Sequence, residues 1–112
     1  MAALAVRAAR VRLVTYEVEG RSMLPALRPG DWVIVDRGGA TSPGTIVLAP
    51  DPREPQRTIA KRVAGIEGGA AWLLGDNPPA STDSRTFGAV PLDELQGRVR
   101  WRYWPPPLGP VR

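Results

Sequence analysis

An all-β domain is predicted by three features of the sequence. Short runs of alternating or β-branched apolar residues recur along its length. Turn-forming residues separate those runs at close intervals. Thirteen prolines and twelve glycines among 112 residues also leave little room for long helices. Many short, turn-linked strands in one small chain point to a closed or partly closed barrel-like arrangement.

The strands follow in order. In VTYEVEG, residues 14–20, Val14, Tyr16 and Val18 face one way while Thr15, Glu17 and Glu19 face the other. DWVIVD and TIVLA are short β-branched runs on either side of the turn-rich RGGATSPG. The proline-studded APDPREPQR reads as an exposed connection to TIAKRVAGI. That strand pairs with AWLLGD across EGG, which has hairpin-turn composition. GRVRWRYW alternates again, with Val99, Trp101 and Tyr103 as a core-facing set against Arg100 and Arg102. Only MLPALRPG after Ser22 and PLDEL at 91–95 read as briefly helical. Residues 1–104 make a single domain, and PPPLGPVR at 105–112 is expected to be an extended, mobile tail.

Composition narrows the chemistry. With neither cysteine nor histidine, disulfides, thiolate chemistry and imidazole-based sites are excluded. The eleven acidic residues show no calcium-loop spacing, so neither a metal nor another cofactor is expected. A net charge of +4 permits contact with nucleic acid without requiring it, because the arginines are scattered. The N-terminal MAALAVRAARVRLV is interrupted by Arg7, Arg10 and Arg12, and reads as a lead-in to the first strand. A membrane span needs about 20 apolar residues in succession. The expectation is a soluble, cytoplasmic protein without a transmembrane anchor, still compatible with peripheral membrane contact.

Of fifteen basic residues, fourteen are arginine, and the single lysine is Lys61. On a strand Lys61 shares a face with Ile59 and Val63, while Arg62 points the opposite way. At an ordinary value of about 10.4, roughly one amine in 2500 is neutral at pH 7. Burial disfavours the cation and makes such an amine a usable base, a part arginine cannot take. The plainer reading is a surface lysine with its stem on apolar surface and its head in water. Ser22 lies in EGRSMLPALRPGD, where a strand ends, Gly20 permits close backbone approach and a turn begins. Free N–H groups at such a turn can hold an oxyanion, yet Ser22 also suits a plain helix cap. Local physics leaves both pairs of readings open.

Three boxes in order bring a family into view. SMLPALRPGD resembles the serine box of the signal peptidase I family, KRVAG its lysine box, and GDNPPASTDSRTFGAVP, residues 75–91, its downstream box. The resemblance implies a barrel-like all-β catalytic core with one short helical turn after the nucleophile. It implies Ser22 as nucleophile, Lys61 as general base and Ser81 as the serine that hydrogen-bonds and orients the amine. Asp83 and Arg85 would brace the site, while Gly75, Asp76 and Asn77 would shape the turn beside the lysine. Some members have a hydroxyl residue two before the nucleophile. Gly20 stands there, so the oxyanion would rest on backbone N–H groups, chiefly that of Ser22.

Only nine residues separate Gly65 from Gly75, leaving no room for the β-domain that larger members insert there. The compact form is similar to the branch that matures nickel-type superoxide dismutase. The resemblance therefore implies an endopeptidase removing an N-terminal pro- or leader segment from a precursor protein, with nickel superoxide dismutase precursor as the specific expectation. An alternative within the family is a generic processing enzyme acting at a membrane surface. A self-cleaving repressor-type protease would need a DNA-binding domain in the same chain, and the 21 residues before Ser22 provide none. A non-enzymatic alternative is a small basic β-barrel for single-stranded nucleic acid, suggested by RVRWRYW. With those aromatics assigned to the core, no nucleic-acid partner is expected.

Overall fold

The computed structural model describes residues 12–112. The expected lead-in over MAALAVRAARV lies outside the described residues. Among the described residues eight strands form one antiparallel sheet: β1 Leu13–Glu17, β2 Trp32–Asp36, β3 Ile46–Asp51, β4 Glu54–Glu67, β5 Ala70–Leu74, β6 Val90–Pro91, β7 Gly97–Trp104 and β8 Gly109–Pro110. Their order is β1-β2-β7-β3-β4-β5-β6, with β8 on the far side of β7. Among the described residues no helix is long and apolar enough to cross a membrane.

The central strand β3 is buried on both faces, and its alternation divides the core in two. Ile46 and Leu48 join Val18, Met23, Leu27, Val33, Val35, Ala60 and Val99 in one cluster. Val47 and Ala49 join Ile59, Val63, Ala71, Leu73 and Val90 in the other. The first cluster fills the curl made by β1, β2, β7, β3 and β4. That curl brings β1 against the start of β4, where the Tyr16 hydroxyl donates to the Thr58 carbonyl at 3.2 Å. The sheet is thus a partly closed barrel extended by a smaller wing of β4, β5 and β6.

The β4–β5 hairpin turns through Gly68 and Gly69, both at positive φ (59° and 77°), with Glu67 facing Ala70. Such a two-residue loop matches the twist of its strands and favours glycine at both positions. The segment after Ser22 is a turn, closed by the Leu27 N–H on the Met23 carbonyl at 2.9 Å. PLDEL contains a 3₁₀ turn at Leu92–Glu94.

Four expectations are corrected. APDPREPQR is mostly strand: Asp51 accepts from the Arg53 N–H at 2.9 Å, closing a tight turn around Pro52, and β4 begins at Glu54. DSRTF contains a short helix, α1 Ser84–Phe87, capped by the Asp83 side chain. Trp101 is not core-facing but 44% exposed. An extra residue in β7 between Val99 and Trp101 breaks the alternation, and Arg102 turns inward to buried Asp31 at 3.0 Å. Finally, the tail doubles back instead of leaving the body. Gly109 and Pro110 pair with Arg102 and Trp101, and the Val111 N–H donates to the Arg100 carbonyl at 3.0 Å. An edge strand tolerates the missing N–H of Pro110.

Candidate active site

Ser22 and Lys61 lie 39 residues apart in sequence, yet Lys61 Nζ sits 2.8 Å from Ser22 Oγ. The fold makes this meeting. Lys61 projects from β4 between Ile59 and Val63 of the second cluster, whereas Met23, beside Ser22, belongs to the first. The pair therefore occupies the seam between the two cores. Lys61 is only 4% exposed, which rules out the surface reading of this residue. Burial pushes its amine below the ordinary lysine value, against the opposing pull of the Asp83 carboxylate. An amine so placed can exchange a proton with a serine hydroxyl.

The loop carrying Ser22 is held from several sides. Gly20 adopts φ of 71° as β1 hands over to the turn. Val18 and Asp31 tie the two ends of the loop, the Val18 N–H donating to the Asp31 carbonyl at 2.8 Å. The Asn77 N–H donates to the Ser22 carbonyl at 2.8 Å, and Asn77 Nδ2 donates to the Arg21 carbonyl at 3.0 Å. Among the described residues no acceptor meets the Ser22 N–H, leaving it available to an incoming oxygen.

The downstream box is organised around Asp83, which is 1% exposed. Its carboxylate accepts from Arg85 Nε and Nη2, both at 2.8 Å, from the Gly75 N–H at 3.0 Å and from Ser81 Oγ at 2.6 Å. The Arg85 guanidinium, followed by these other donors, holds the carboxyl well below the usual carboxylate range. Arg85 thus grips Asp83 through two guanidinium nitrogens. The expected Ser81–Lys61 hydrogen bond does not form: Ser81 gives its proton to Asp83, the stronger charged acceptor. Gly75 is wedged against Ser81 and the Ser22 carbonyl, which an added Cβ would approach to 2.8 Å. Asp76 faces away from the amine and takes Arg62 in a fork at 2.8 and 2.7 Å.

Two contributions were not foreseen. Ser84 Oγ accepts from the Leu73 N–H at 2.8 Å, fastening the box to β5. The hairpin end of β3 and β4 brings Asp51, Arg53 and Arg57 to the cleft beside Ser22. The Asp-Pro pair was a turn signal for that hairpin, masked by the number of prolines around it. Among the described residues no three His, Cys, Asp or Glu side chains gather as a metal site would require.

In sequence the chain is similar to known proteases. Residues 4–98 match the family described as Peptidase S24-like. The chain is 36% identical to the mitochondrial ATP-independent inner membrane protease subunit 1a of Arabidopsis thaliana, over 87% of this chain and 74% of the relative. It is 33% identical to the mitochondrial inner membrane protease subunit 1 of Homo sapiens, over 77% of this chain and 66% of the relative. Subunit 2 of Danio rerio is 36% identical, over 80% of this chain and 63% of the relative.

Proposed function

The chain belongs to the Peptidase S24-like family, and we propose that within it this protein is a Ser–Lys endopeptidase that trims an N-terminal pro- or leader segment from a precursor protein. The observation that carries the reading is the 2.8 Å approach of a buried amine to a serine hydroxyl. In the proposed reaction, neutral Lys61 takes the Ser22 proton as Oγ attacks the scissile carbonyl carbon. The carbonyl oxygen gathers negative charge, and the Ser22 N–H donates to it. Protonated Lys61 then gives its proton to the departing amine, leaving an ester on Ser22. Water, deprotonated by Lys61, hydrolyses that ester and the serine recovers its proton.

Two unpaired strand edges converge on the dyad and support a substrate bound in extended form. Among the described residues β1 pairs only with β2, and β5 covers β4 only from Arg62 onward. A segment laid between these edges would gain main-chain hydrogen bonds from both.

For the substrate we propose a precursor of nickel-type superoxide dismutase, on the resemblance of WLLGDNP…DSRTFGAVP and the Arg/Trp/Tyr-rich final strand to that compact branch. The names of the relatives favour a second reading of where the enzyme works, at a membrane surface on precursors delivered there. Incubation of candidate precursors with the wild type and with Ser22→Ala tests the function. Cleavage by the wild type alone supports it, and equal cleavage by both contradicts it.

A further inference from the structure

The cleft that holds Ser22 and Lys61 encloses about 140 Å³, and one wall of it is charged. Arg53 and Arg57, from the β3–β4 hairpin, both line it, but their guanidinium groups differ in commitment. Arg53 grips buried Asp51 with Nε at 3.3 Å and Nη2 at 3.1 Å. Arg57 has no carboxylate within ion-pair distance and no hydrogen-bond partner among the described residues. The ladder explains its position. Pro50 faces Thr58, then Asp51 faces Glu54, so residues 55–57 bulge out of the pairing and carry Arg57 to the cleft.

The charge of Arg57 is felt across the site. Burial is the largest influence on the protons of Tyr16, Asp51 and Lys61, and at all three Arg57 adds a pull toward the deprotonated form. Glu19 acts on Tyr16 in the opposite sense. The cleft is therefore polarised, with a free cation on the β4 wall and a carboxylate at the end of β1.

We propose that Arg57 is a specificity-determining residue whose guanidinium receives an acidic side chain of the bound precursor segment. The proposal rests on the Ser–Lys reading above. Alternate side chains of an extended segment point to the same wall. A carboxylate meeting Arg57 gains charge-assisted hydrogen bonds without displacing an existing partner. A basic side chain in the same place is repelled. Glu19 turns acidic groups away from the other wall, which confines the preference to one substrate position.

The test starts by digesting a mixed synthetic peptide library with the wild type to find a cleaved sequence. Variants of that peptide then carry Asp, Asn or Lys singly at each position within about four residues of the cut, with kcat/KM read by mass spectrometry. At one position Asp is expected to exceed Lys by about tenfold or more. Raised ionic strength should shrink that ratio. Arg57→Glu inverts the ratio, Arg57→Lys retains it in the same direction, and remote Arg37→Glu leaves it in place. A ratio near one at every position overturns the subsite, as does an unchanged ratio in folded Arg57→Glu. Failure of the wild type to cut any peptide, or cutting that persists in Ser22→Ala, instead overturns the Ser–Lys reading on which the subsite depends.

Discussion

The backbone N–H of Asn77 donates to the carbonyl oxygen of Ser22 at 2.8 Å, tying the loop that presents the hydroxyl to the end of β5. Two residues earlier, Gly75 touches that same carbonyl and Ser81, with no space for a side chain. Gly75→Ala should therefore displace Ser22 as well as strain the fold. We expect a loss of about 2 kcal/mol in stability from overpacking. The fall in kcat should reach about tenfold or more, with KM changing far less, since a small misplacement of reacting groups is costly. Denaturant unfolding and steady-state kinetics on one preparation check both effects.

Lys61→Met should separate activity from stability. A folded-state value below the ordinary one means that the unfolded chain binds the lysine proton more readily. The stability penalty accordingly grows as pH falls from the ordinary lysine range through the folded value. Replacing the amine by an apolar side chain of similar size removes that penalty. Lys61→Met is expected to be inactive, yet more stable than the wild type at mildly acidic pH by about 1 kcal/mol. Urea midpoints at several pH values measure it, and a less stable variant at acidic pH contradicts the sign.

Asp83→Asn should act in the opposite direction. A carboxylate held below its usual range stabilises the fold above about pH 3.9, and that contribution is lost as pH falls through the folded value. The substitution removes the charge that Arg85, Ser81 and Gly75 surround. A loss of about 2 kcal/mol at neutral pH is expected, discounted because Arg85 is half-exposed. The variant should also depend less steeply on pH at the acid end.

Ser81→Ala distinguishes bracing from orientation. Since Ser81 donates to Asp83, its removal should lower stability by about 1 kcal/mol and leave the midpoint of the kcat/KM pH profile near that of the wild type. A midpoint shifted by a full pH unit would place Ser81 on the amine instead.

Features set by local alternation were legible in the sequence. Lys61 sharing a face with Ile59 and Val63, and Arg62 turning away to Asp76, follow from a period of two. Features set by distant partners were not. Trp101 escapes the core because β7 gains a residue opposite β2, which no pattern within GRVRWRYW reveals. The tail returns because the outer edge of β7 is open, a property of the sheet and not of PPPLGPVR. Arg57 reaches the cleft through a bulge defined only once β3 and β4 are paired. For Ser22 and Lys61, local physics leaves each role open; only the ordered boxes pair in sequence what the fold sets 2.8 Å apart.

Kinetics provides a further check on the amine. The value of kcat/KM should rise with pH along one limb centred below the ordinary lysine range, because only neutral Lys61 can accept the Ser22 proton. A flat profile from pH 5 to 9 on a pH-insensitive peptide contradicts the scheme. Lys61→Arg should show no measurable turnover at any pH.

The most direct measurement uses the chain's single lysine. Protein labelled with ¹³C,¹⁵N-lysine gives one side-chain amine to follow by NMR as pH is varied. Titration of Lys61 with a midpoint clearly below the ordinary lysine value of about 10.4 is the predicted result. A midpoint at or above that value would show a cation beside Ser22 at working pH, and would contradict the account of Lys61 as the base.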